Sequence, residues 1–113
     1  MKLTPDRYLT YRYAGASGDY NPIHLDDEFA RSVGLPGRIL HGLWTMAQVA
    51  RAQTEAAGDP LALETLEVQF RGVGVPEAEI TITSTTAGDG TIRCDAEQNG
   101  KKIVKAGKAK LRS

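Results

Sequence analysis

Leu40-His41-Gly42-Leu43-Trp44-Thr45-Met46-Ala47-Gln48-Val49-Ala50-Arg51-Ala52-Gln53-Thr54-Glu55-Ala56-Ala57 contains no proline, and its one glycine stands near the front. Leu43, Met46, Ala47, Ala50 and Thr54 recur at spacings of three and four, the period of one helix face. Trp44, Val49 and Ala52 add apolar surface off that stripe. A helix apolar most of the way round is ordinarily buried. Gly58-Asp59-Pro60 ends it. The spacing therefore predicts one long helix over residues 40–57, sunk in a core.

Downstream the period changes to two. Leu66, Val68 and Phe70 alternate with polar residues within 63–70. Residues 79–87 are rich in Ile and Thr, and residues 91–97 follow. Gly88-Asp89-Gly90 and Asn99-Gly100 are hairpin turn signals. Residues 102–111 form the last strand, with Ile103, Ala109 and Leu111 set among lysines. A four-stranded antiparallel meander curled round the long helix is the simplest way to bury that helix. The class is α+β, one domain over residues 1–113, with no repeat, linker or low-complexity tract.

Upstream, Thr4-Pro5-Asp6 has the form of a helix start, with a cap residue, proline at the first position and an acid in the first turn. That helix is expected to reach about Ala16, where Ser17-Gly18-Asp19 breaks it. Pro22 keeps Asn21 out of the α region, so an irregular loop should follow. Asp26-Asp27-Glu28 places acids at the positive end of another short helix. Gly34, with Pro36 and Gly37 beyond, stops it.

The chain has 113 residues, a length that favours one domain. Lys+Arg and Asp+Glu both number 14, so no global field draws in nucleic acid or an anionic membrane. A single cysteine, Cys94, excludes an internal disulfide and a multi-cysteine metal site, and is read as a small core residue. There is no secretory apolar run, and no segment reaches the about 18 apolar residues of a membrane span. A soluble cytoplasmic protein is expected. Phosphate loops, zinc spacings and dinucleotide fingerprints are missing from the sequence. No metal or cofactor is expected.

Ser17-Gly18-Asp19-Tyr20-Asn21-Pro22-Ile23-His24 sets a carboxylate and an imidazole five residues apart on a turn stiffened by Pro22. A carboxylate beside an imidazole orients the ring. A water held between them can be deprotonated by one while the other moves a proton to or from carbon. Gly42, after His41, opens the long helix, and its N–H can serve a developing oxyanion. Together these groups suit addition of water to an activated double bond, or the reverse. The plainer alternative is that Asp19 caps a turn and His24 is a packed histidine. His41 is read as fixing the loop, and Ser17 as a turn residue. Tyr20 either lines the pocket or packs on the second helix. Trp44, Met46 and Val49 are read as core. Arg71 is read as solvated, and Lys101, Lys102, Lys105, Lys108 and Lys110 as a solvated strand face.

This loop resembles the signature of the MaoC-like hot-dog family, the (R)-specific enoyl-CoA hydratases and 3-hydroxyacyl thioester dehydratases. Tyr13-Ala14-Gly15-Ala16, Phe29-Ala30-Arg31-Ser32-Val33-Gly34-Leu35 and Arg38-Ile39-Leu40-His41-Gly42-Leu43 fit the same pattern. The resemblance implies a sheet wrapped round one helix. It makes Asp19 and His24 the water-holding pair, gives Asn21 a positioning role and Gly42 N–H a place in the oxyanion hole. It places Tyr20, His41 and Leu43 near the substrate, an acyl-CoA or acyl-carrier-protein thioester, and it adds an alternative to three readings: acyl-chain lining for Trp44, Met46 and Val49, a substrate phosphate for Arg71, and a dock for an acidic carrier protein for the lysine strand. It also implies a homodimer, or a heterodimer with a second hot-dog subunit as in two-subunit 3-hydroxyacyl carrier-protein dehydratases. A non-catalytic acyl-binding role is disfavoured because both Asp19 and His24 are present. A thioesterase is disfavoured because residues 40–53 carry no acid. Family members begin with a strand before the first helix. With only Met1, Lys2 and Leu3 ahead of Thr4, the sheet is expected to be one strand short.

Overall fold

The computed structural model describes residues 1–112. In chain order the elements are β1 (Lys2–Leu3), α1 (Leu9–Ser17), a 3-10 turn (Pro22–His24), α2 (Asp27–Ser32), α3 (Gly42–Ala57), β2 (Leu63–Phe70), β3 (Ile80–Thr86), β4 (Ile92–Gln98) and β5 (Lys101–Leu111). One antiparallel sheet, in the order β1-β3-β4-β5-β2, packs against α3. Among the described residues no helix is long and apolar enough to cross a membrane.

The sheet departs from the expected meander in two ways. β3, β4 and β5 do run consecutively, but β2 pairs with β5 at the far edge. The chain leaves β2 with Arg71 N still bonded to Ile103 O. Leu40 N then captures Gly74 O at 2.8 Å, drawing the chain off the sheet towards the entrance of α3. The next strand, β3, therefore joins on the far side of β4, next to β1. The strand expected to be missing is also present, because Lys2 and Leu3 pair with Thr81 and Ile80. Pro5 O goes on to accept from Glu77 N, so the chain stays tied to this edge past Thr4. For that reason α1 begins at Leu9 and not at Thr4-Pro5-Asp6. Asp6 instead accepts from Tyr8 N and pairs with Arg12, which lowers its carboxyl to about 2.

Curvature comes from irregularities on β5. Cys94 pairs with Gly107 and Ala96 with Val104, so three steps on β5 match two on β4. The extra residue sits at Ala106, whose φ is 53°. Such a bulge bends its strand. Gly107 belongs here because a Cβ would lie 2.4 Å from Cys94 O. The Asn99-Gly100 turn forms as expected, with both φ positive (53° and 75°), the geometry that asparagine and glycine tolerate.

The limits of α3 match the expectation closely, and Gly58 caps it in the left-handed region at φ 70°. The buried face differs. Thr45, Val49 and Gln53 face the sheet, with Trp44 and Ala52 beside them, whereas Leu43 and Ala47 are exposed. Gln53 is buried because its amide donates to Val49 O and to Ser84 Oγ on β3. The core joins these residues to Ile80, Ile82, Ala96, Ile103 and Val104.

Candidate functional site

The loop before α2 is held by its own side chains. Ser17 Oγ accepts from Asp19 N, Asp19 Oδ1 from Asn21 N, and Asn21 Oδ1 from Ile23 N, each at 3.2 Å. These Asx- and Ser-type bonds are what such residues form in turns. Asn21 thereby caps the 3-10 turn that carries His24. With Oδ1 occupied, Asp19 Oδ2 faces His24 Nε2 at 3.8 Å.

His24 is buried and fixed from the other side. Ile39 N donates to Ile23 O at 3.0 Å, and His24 Nδ1 lies 2.8 Å from Ile39 O. A carbonyl only accepts, so Nδ1 carries the proton and Nε2 is the nitrogen left for chemistry. The segment that includes Ile39 is itself anchored by Arg38. That guanidinium donates to Arg7 O, Thr10 Oγ1 and Asp27, and lies over the Tyr11 ring. The Arg38 N–H lowers the Asp27 carboxyl below the usual range. One residue thus ties α1 and α2 to the entrance of α3.

His41 stands at the cap of α3, stacked on His24 with centroids 3.8 Å apart and tilted against Tyr13 at 4.7 Å. Its Nε2 lies 3.1 Å from Asp19 O and donates to it. Burial pushes its imidazole below the ordinary range, with the Asp19 carbonyl acting in the opposite direction. Gly42 is the first residue of α3, and first-turn N–H groups have no acceptor within a helix. A Cβ at Gly42 would come within 3.2 Å of the Phe70 ring, so glycine lets that ring approach.

A pocket of about 190 Å³ opens beside these groups, with His24, Gly42, Thr45, Phe70 and Val73 in its wall. Asp19 and His24 face each other as expected, His41 stacks on His24, and Gly42 shares the pocket wall with His24. Of the other expected site residues, Asp19, Asn21 and His41 lie outside the lining of this pocket, as do Tyr20 and Leu43, which are 61% and 67% exposed. Sequence reasoning missed Phe70, Gly72, Val73 and Gly74. The Gly-Val-Gly run was their only signal, since they contribute shape and not reactive groups.

Ligand-capable atoms of Asp19, His24 and His41 lie within 4.8 Å of one another. The two rings are inclined by only 21°, so their in-plane lone pairs run side by side and do not meet at a metal. One nitrogen of each is also committed to a carbonyl. The gap between Asp19 Oδ2 and His24 Nε2 suits one bridging water.

The family model of the MaoC like domain matches residues 1–109. The peroxisomal enoyl-CoA hydratase 2 of Arabidopsis thaliana is 42% identical over 71 residues, which are 61% of this chain and 22% of that protein. A fatty acid synthase subunit beta of Schizosaccharomyces pombe is 43% identical over 98 residues, 82% of this chain and 4% of that one. The crystal structure of a MaoC-like dehydratase from Phytophthora capsici superimposes with a TM-score of 0.91 at 29% identity, covering 100% of this chain and 39% of that one. The chain thus spans well under half the length of each.

Proposed function

The chain belongs to the MaoC-like domain family, and from that premise we propose that it adds water reversibly to a trans-2-enoyl thioester to give the (R)-3-hydroxyacyl thioester. The observation that supports this most is the fixed His24 ring: Nδ1–H on Ile39 O leaves Nε2 facing Asp19 Oδ2 across 3.8 Å, and His24 shares a pocket with Gly42. Water held by the two side chains gives one proton to the pair as its oxygen bonds to the β-carbon. The pair returns one proton to the α-carbon, so the atoms balance. Charge passing to the thioester oxygen in between meets the Gly42 N–H and the positive end of α3. Asp19 and His24 are the catalytic residues of this reading, with Gly42 as oxyanion donor. Asn21 and His41 act as positioning residues, through the turn and through the Asp19 carbonyl. Tyr20 and Leu43 would meet only the outer part of a bound thioester.

Asp19→Asn keeps the turn bond from Asn21 N and removes the charge. It should lower hydration of crotonyl-CoA roughly a hundredfold or more while leaving the melting curve in place. Near-normal turnover by this variant would sink the assignment.

A second reading, dehydration of 3-hydroxyacyl groups on a carrier protein, is favoured by the likeness to the fatty acid synthase subunit. In either case the exposed Leu43 and Ala47 side of α3 is read as the surface for a second hot-dog domain, from another copy or another subunit. Light scattering of the active species decides between them. The cytoplasm is the compartment of this reading, consistent with the unpaired thiol of Cys94.

A further inference from the structure

The pocket beside His24 is too small for a whole thioester, and a second cleft of about 850 Å³ adjoins it. The two cavities share Gly72, Val73 and Ile103. Two cations, Arg71 and Lys101, line the second cleft, and no carboxylate does. The rest of the lining is mostly apolar, with Leu35, Val75 and the shared Val73 and Ile103, and its other polar residues are the neutral Gln98 and Asn99. We propose that this cleft receives the pantetheine arm of the substrate and that Arg71 and Lys101 bind the phosphate at its far end. The assignment rests on the thioester reading above and adds to it the residues that hold the arm.

The charges here are not interchangeable with the rest of the basic strand. Lys102 is held 2.6 Å from Asp95, which raises its ammonium, and it does not line the cleft. Lys105, Lys108 and Lys110 are likewise outside it. Among the described residues neither Arg71 nor Lys101 enters an ion pair. Arg71 Nη2 donates to Gln69 Oε1, which orients the guanidinium and leaves most of its N–H groups for an anion. Its backbone is pinned by the bond from Arg71 N to Ile103 O at 3.0 Å. Gly72 lets this shared wall pack closely on β5, since a Cβ there would already lie 3.1 Å from Lys102 O. A fork and an ammonium in a mostly apolar cleft match a long arm of methylenes and amides that ends in phosphate.

Such a phosphate arrives either on coenzyme A or on an acyl carrier protein, and one experiment separates the sources. The Arg71→Glu/Lys101→Glu double variant and the wild type are assayed with the same enoyl group on coenzyme A, on acyl carrier protein and on N-acetylcysteamine, which has no phosphate. The ratio of kcat/KM for a phosphate-bearing thioester to that for the N-acetylcysteamine thioester should fall about tenfold or more in the variant, mainly through KM. A fall with coenzyme A alone, with carrier protein alone or with both supports the site and names its source. A ratio that keeps its wild-type value with both overturns it. Both side chains are exposed, so folding is not at stake. If the wild type hydrates none of the three thioesters, the failure lies in the catalytic reading, and the ratio test is what fails when only the phosphate site is wrong.

Discussion

Residues 17–24 and residues 70–76 both interrupt regular structure and both reach the His24 pocket, yet they are held in opposite ways. The first stretch takes its shape from side-chain bonds between residues two apart, and residues 39 and 41 then anchor the turn already formed, through Ile23 O, His24 Nδ1 and Asp19 O. The second is tied to distant elements: Arg71 N to Ile103 O, Gly74 O to Leu40 N, and Val75 N and O to the Gln98 side chain. The first carries its chemistry in side chains, the second in backbone shape. A self-contained turn can be read from its own residues. A crossing whose partners lie elsewhere in the chain cannot.

The comparison breaks most easily at Gln98, which is buried with its amide bonded to Val75 N, Val75 O and Ala78 O. Gln98→Leu strands all three backbone groups and should cost about 3 kcal/mol or more in urea unfolding. Asn21→Ala, which removes one exposed turn bond, should cost under about 1 kcal/mol. Equal losses would mean that the local turn is not self-sufficient.

A smaller effect is expected at Gly74, where a Cβ would stand 2.9 Å from Cδ1 of buried Leu40. Gly74→Ala should destabilise by about 1–3 kcal/mol and raise KM through the displaced pocket wall. Unchanged stability together with unchanged KM would show that the close approach is not needed.

The smallest effect is a pH dependence. His41 is lowered from its ordinary 6.5 chiefly by burial. Just below that value the unfolded chain binds a proton that the folded one refuses, so ΔG of unfolding rises with pH in this window. Stability is therefore lost as pH falls through about 6.5 towards the folded value. The drop in urea midpoint from about pH 7.5 to about pH 5.5 should be larger in wild type than in His41→Asn. The same drop in both would show that His41 is not held neutral by its burial.

Much of the local structure was legible for the reason that the first stretch illustrates. Asp26 caps α2 through Phe29 N, Gly58 stops α3, and Asn99-Gly100 turns the last hairpin. Each depends on the φ preference or side-chain acceptor of the residue in place. The buried face of α3 was not legible in this way. Several of its faces are apolar, and Gln53, which a hydrophobicity count sends to solvent, is drawn inward by Ser84 from β3. Thr4-Pro5-Asp6 failed as a helix start because the bond from Glu77 N to Pro5 O keeps that segment on the sheet edge.

By itself the sequence determined the α+β class, the long helix, the turns and the Asp19–His24 pair, because period, caps and two-residue hydrogen bonds act over a few positions. Only the tertiary structure decided that β2 lies beside β5, that Lys2 and Leu3 complete the sheet, and that Phe70 to Gly74 wall the pocket. Those outcomes are choices among pairings of similar local quality. They are settled by which distant backbone groups satisfy one another once the helix is covered.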